Sequence, residues 1–129
     1  MKRILPCFVA VVFILTFFPM VAMGQETDIT GTWVGKTYVP NQGEDDLTLN
    51  IEKEGGEHTV IITDSFGMVQ GVEANDVSYE DGTLSFNFSV YSGYEEMMVW
   101  ITLEVNHDKM SGYWETADGS RDTIELARE

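Results

Sequence analysis

The chain has 129 residues, with 22 acidic against seven basic side chains and a formal net charge of −15 at neutral pH. That length holds one domain, and that charge works against binding to nucleic acid or to an anionic membrane surface. The single cysteine, Cys7, excludes an intrachain disulfide and a cysteine-built metal site.

Residues 1–24 read as a secretory signal peptide. Lys2 and Arg3 supply the positive start, an apolar run follows over residues 4–21, and Ala22-Met23-Gly24 places small residues where a signal peptidase reads. Cleavage is expected before Gln25, giving a periplasmic or extracellular protein with no membrane contact after cleavage. The competing reading is an uncleaved anchor, which Pro19 and the small-residue exit oppose. A lipid anchor would need a cysteine after the cut, where Gln25 stands. Processing removes Lys2, Arg3 and Cys7, leaving Lys36, Lys53, Lys109, Arg121 and Arg128 as the basic residues.

Residues 25–30 are polar and predicted to be flexible; residues 31–129 form the predicted domain. From Gly31 on, the apolar signal has period two and turn residues break it at short intervals. The first strand spans Gly31 to Val39 and closes at Pro40-Asn41-Gln42-Gly43. Leu47, Leu49 and Ile51 alternate through the second, and Gly55-Gly56 turns the chain into a third over 58–63. A short strand is expected at 68–70 between Gly67 and Gly71, continuing irregularly towards Val77 and Tyr79. After Glu80-Asp81-Gly82, the residues Leu84, Phe86, Phe88 and Val90 give the cleanest alternation. Residues 92–96 read as a polar loop. Val99, Ile101, Leu103 and Val105 mark the next strand, and strands at 110–115 and 122–127 follow turns at 106–108 and 117–120. No stretch after the leader has a helical stripe.

This pattern predicts an all-β domain: an antiparallel up-and-down barrel of about eight strands, with a two-sheet sandwich as the alternative. Closing the sheet removes both of its exposed edges.

Gly31-Thr32-Trp33 resembles the Gly-x-Trp that opens the first strand of lipocalin and calycin barrels. The succession of Gly-Thr-Trp-x-Gly, Leu-Thr-Leu, a Gly-Gly hairpin, Leu-Ser-Phe after Asp-Gly, and Met-Ser-Gly-Tyr-Trp is similar to small secreted bacterial lipocalin-like domains. The resemblance runs from Gly31 to Arg128. The third strand departs from it, reading Thr59-Val60-Ile61-Ile62-Thr63 in place of a Thr-Gly pair. The resemblance implies that Trp33 closes one end of the barrel against a basic residue near the last strand, Arg121 or Arg128.

Nothing in the chain reads as a catalytic constellation. His58 and His107 stand beside predicted turns without a partner at metal-ligand spacing. Ser65, Ser92 and Ser120 are turn residues, and no Gly-x-Ser-x-Gly elbow is present. Glu44-Asp45-Asp46 and Glu95-Glu96 read as a solvated rim, since neither has the spacing of a calcium loop. Asn87-Phe88-Ser89 matches a glycosylation acceptor but lies within a strand. The expectation is a protein that is not an enzyme and uses no metal or cofactor.

Two roles remain. On the predicted inner face, Trp33, Leu49, Phe86, Phe88, Ile101, Leu103 and Trp114 either fill the barrel or line a pocket for one small apolar ligand. Met98, Trp100 and Tyr113 are predicted to face outward, where they suit binding of a protein partner.

Overall fold

A polypeptide with period-two alternation sends successive side chains to opposite faces of a strand. In the computed structural model, which describes residues 26–91 and 94–129, this pattern is realised over nine strands. The leader and its expected cleavage site lie outside the described residues. The strands are β1 (Gly31–Val39), β2 (Gly43–Glu54), β3 (Glu57–Asp64), β4 (Val72–Glu73), β5 (Asn75–Glu80), β6 (Thr83–Tyr91), β7 (Glu96–Asn106), β8 (Lys109–Thr116) and β9 (Arg121–Arg128).

All nine belong to one antiparallel sheet in the order β4-β3-β2-β1-β9-β8-β7-β6-β5. Its two edge strands, β4 and β5, are separated in sequence only by Ala74. The sheet therefore curls into a nearly closed up-and-down barrel, which rules out the two-sheet sandwich.

The expected strand at 68–70 is absent. Gly67 and Gly71 have φ of 81° and 63°, and Asp64 accepts the Val69 N–H through its side chain, which competes with a ladder. Strand pairing resumes only at Val72 and Glu73, opposite Ile62 and Ile61, and the Ala74 N–H donates to Val60 O. The chain then shifts to β6 through a bulge between Asn75 and Ser78, where Asp76 has φ of 51° and accepts from Asn87 Nδ2. Below the seam, the rings of His58 on β3 and Tyr79 on β5 meet edge to face at 5.5 Å.

Two inward positions carry no side chain because the wall bends there. A Cβ on Gly35 would lie 1.8 Å from Glu125 O, and one on Gly112 would lie 1.9 Å from Thr102 O.

The two ends of the barrel differ. At one end, β2–β3, β5–β6 and β7–β8 are joined by two-residue turns at 55–56, 81–82 and 107–108. At the other, the connections are longer, at 40–42, 65–71, 92–95 and 117–120. The end with the tight turns is also covered by residues 26–30, which are not the flexible tail expected for 25–30. Glu26 accepts the Gly82 N–H, Thr27 O accepts from the Tyr79 hydroxyl, and Ile29 O accepts from Trp33 Nε1. Arg128 donates to the carbonyls of Asp28 and Thr30.

Candidate functional site

Side-chain size divides the barrel interior. Towards the covered end, Ile29, Trp33, Leu49, Leu84, Phe86, Leu103 and Met110 are packed and almost wholly buried. Towards the long loops, the inward positions include Thr37, Val90, Val99 and Thr116, which are too short to meet at the axis of a barrel this size. A cavity of about 510 Å³ remains there, open at the loop end. Its wall is mostly apolar, and Phe88, Ile101 and Trp114 are among its large side chains.

The polar groups of the wall are mostly bound to one another. Trp114 Nε1 donates to Thr37 Oγ1, which in turn donates to Thr123 O. The Thr116 hydroxyl donates to Asp118. Asp118 also accepts the Ser120 N–H, and these hydrogen bonds hold its carboxyl below the usual range.

Two acidic residues on the wall are buried. Asp45 on β2 and Asp64 on β3 are 2% and 8% exposed. Asp45 Oδ1 accepts both the N–H and the hydroxyl of Ser65. Asp64 Oδ1 accepts the Val69 N–H, and the Asp64 carboxyl, whose Oδ2 is buried away from any N–H or hydroxyl, is hydrogen-bonded to that of Asp45. Burial, and then the neighbouring Asp64 carboxyl, raise the Asp45 pKa above its ordinary value.

Of the residues expected inside, Trp33, Leu49, Phe86, Phe88, Ile101 and Leu103 are buried, and Trp114 is half-buried against the core. They do not form one site. Phe88, Ile101 and Trp114 face the cavity; Trp33, Leu49, Phe86 and Leu103 belong to the packed half. Arg128 is the basic residue at Trp33, with its guanidinium 4.4 Å from the ring centre. Arg121 instead lies over Tyr113 at 4.0 Å. Met98 and Trp100 are exposed on β7, and Tyr113 is half-covered beneath Arg121.

Sequence reading missed the acid pair because β2 begins at Gly43, earlier than its apolar residues suggest. Glu44-Asp45-Asp46 is therefore strand and not a solvated loop. Glu44 and Asp46 point out to Lys36, which leaves Asp45 on the inner face with Leu47 and Leu49. The available signal was parity: 45, 47, 49 and 51 form one series, as do 60, 62 and 64 on β3. His58 stands at the start of β3, where the strand over 58–63 was expected; it is half-buried, and its pKa is lowered first by burial and then by Lys53. Among the described residues, no three His, Cys, Asp or Glu side chains converge as metal ligands.

Neither a known family profile nor a curated protein sequence matches this chain. Among solved structures, it is similar to a de novo designed fluorescence-activating β-barrel. The identity is 18%, over 78% of this chain and 94% of that one, with a TM-score of 0.51. At that identity the likeness concerns the fold: a nearly closed antiparallel barrel, an architecture compatible with holding a ligand.

Proposed function

We propose that this chain is an exported, non-enzymatic binding protein, lipocalin-like in design, that holds one small apolar molecule in the half-open barrel. The carrying observation is the 510 Å³ cavity beside a packed core, a volume within the range of small-molecule sites. Burying 200 Å² of ligand surface there contributes about 5 kcal/mol before association costs, consistent with weak to moderate affinity. The Gly-Thr-Trp opening and the Arg128–Trp33 stack support the lipocalin-like reading, and the three-part leader supports export to the periplasm or beyond.

Titration with N-phenyl-1-naphthylamine, an uncharged fluorescent probe, tests the binding role. The expected result is a saturable rise in emission at one probe per chain, abolished by Val99→Trp, which fills the cavity. No saturable signal would reject the reading. N-terminal sequencing of the protein recovered outside the cytoplasm tests export, with Gln25 expected as the first residue.

A second reading, a protein-interaction domain of the cell envelope, draws on Trp100 and Met98, which are 42% and 37% exposed on one face of β7. It expects Trp100→Glu to abolish recovery of a protein partner without changing the melting temperature.

A further inference from the structure

The large apolar side chains that the fold leaves exposed gather towards the loop end of the barrel. Phe66 and Met68 stand on the 65–71 loop, Tyr91 closes β6, and Tyr94 follows in the next connection. Tyr91 and Tyr94 are 69% and 91% exposed. Among the described residues, no large apolar side chain is exposed at the tight turns of the covered end. Met68 and Tyr91 border the cavity, whereas Phe66 and Tyr94 stand outside its lining. Single exposed apolar residues are ordinary, but a group of them at one end marks a contact surface.

Charge decides what that surface fits. Tyr91 lies directly opposite Glu96 across β6 and β7, and both are exposed. Tyr38, also exposed, lies opposite Glu44 across β1 and β2. Asp118 is exposed in the 117–120 connection, and its hydrogen bonds keep it ionised at neutral pH. The bases towards this end are already engaged: Lys36 pairs with Glu44 and Asp46, and Arg121 lies over Tyr113. Lys53, Lys109 and Arg128 stand at the covered end. A tyrosine ring beside a carboxylate suits a Lys or Arg side chain, whose charge meets the acid while its body lies on the ring. A second copy of this chain repeats the same acidic excess, and an anionic bilayer brings charge of the same sign.

We infer that the loop end docks a basic polypeptide segment bearing apolar side chains. Its Lys or Arg side chains meet Glu96 and Asp118, and its apolar ones meet Phe66, Met68, Tyr91 and Tyr94. Seated there, the partner caps the mouth of the barrel. The inference stands apart from the ligand-holding role, so that failure of either leaves the other intact.

Three rhodamine-labelled peptides test it by fluorescence anisotropy at neutral pH: Lys-Leu-Phe-Lys-Leu-Phe-Lys, the same sequence with Glu for Lys, and Lys-Ser-Gly-Lys-Ser-Gly-Lys. The first should bind saturably, at least about tenfold tighter than either of the others, and less tightly as salt is added. Phe66→Ser and Tyr94→Ser, both outside the cavity lining, should each weaken it by about fivefold while the circular dichroism stays that of the folded barrel. Glu96→Gln should weaken it about threefold. Asp81→Asn, which removes one acid from the covered end, should leave it unaltered.

Equal binding of the Lys and Glu forms, or no saturable binding of the first peptide, would overturn the inference. Equal weakening by Glu96→Gln and Asp81→Asn would also overturn it, since bulk acidity would then explain the binding. Co-sedimentation with phosphatidylcholine vesicles in place of peptide binding would overturn it in favour of a lipid surface. The N-phenyl-1-naphthylamine titration is read separately, and its failure would reject the ligand-holding role alone.

Discussion

The Arg128 guanidinium lies 4.4 Å from the centre of the Trp33 ring, and its nitrogens also donate to Thr30 O and Asp28 O. One side chain on the last strand thus covers the indole of the first and holds down the segment that closes the barrel end. Replacing Arg128 with Ala removes the cation–π contact, the two charge-assisted hydrogen bonds to carbonyls and the exposed ion pair with Asp108, an expected loss of about 2–4 kcal/mol. Urea denaturation followed by Trp emission measures it. Arg128→Lys should recover only part of the loss, because an ammonium lacks the planar fork that reaches both carbonyls while stacking. An Arg128→Ala protein as stable as the original would show that the stack is incidental.

The bends at Gly35 and Gly112 predict a steep contrast among glycines. A methyl group at either position meets a backbone carbonyl oxygen below 2 Å, and the wall must open to admit it. Gly35→Ala and Gly112→Ala should each cost more than about 3 kcal/mol or prevent folding. Gly55→Ala, at a turn with φ of 58° and nothing within 4 Å of the new methyl, should cost only about 1–2 kcal/mol. Thermal melts of the three variants check the order.

Asp45 makes a prediction about pH. Burial, then the neighbouring Asp64 carboxyl, raise its pKa above the ordinary 3.8, so the folded chain holds this proton more tightly than the unfolded one. Its contribution to stability is present below pH 3.8 and is lost as pH rises through the folded value. Asp45→Asn should therefore gain on the unaltered protein as pH rises and converge with it below pH 3.8. Parallel urea denaturation of the two proteins across this range measures the difference, and a gap that does not vary with pH would contradict it.

His58 works in the opposite sense. Burial first, and then Lys53, hold its pKa below the ordinary 6.5, so stability is present above pH 6.5 and lost as pH falls through the folded value. His58→Phe keeps a ring against Tyr79 and removes the titration. The variant should gain on the unaltered protein as pH falls below 6.5, and an NMR titration of the His58 ring should give a midpoint below that of a free histidine.

The barrel was legible in the sequence because parity in strands such as β6 and β7 leaves little choice of face: Leu84, Phe86 and Phe88 share one side, as do Val99, Ile101 and Leu103. The hairpins at Gly55-Gly56 and Asp81-Gly82 were equally plain, with positive φ at both residues of each. The stretch after Asp64 was not. Met68 and Val69 look like strand residues, but the Asp64 carboxylate and two left-handed glycines hold them in a loop. The acid pair stayed hidden because charge is ordinarily read as exposure, while Asp45 is carried inward by the parity of β2. The division of the interior into packed and open halves depends on which short side chains meet across the axis, a relation between strands distant in sequence.

The most direct measurement is a titration of isotope-labelled protein with an uncharged apolar probe, followed by NMR at the aromatic and methyl groups of the interior. Shifts should concentrate at Phe88, Ile101 and Trp114, with Trp33, Leu49, Phe86 and Leu103 nearly unmoved. Shifts centred on Met98 and Trp100 at the outer face, or none at all, would contradict a ligand-holding barrel.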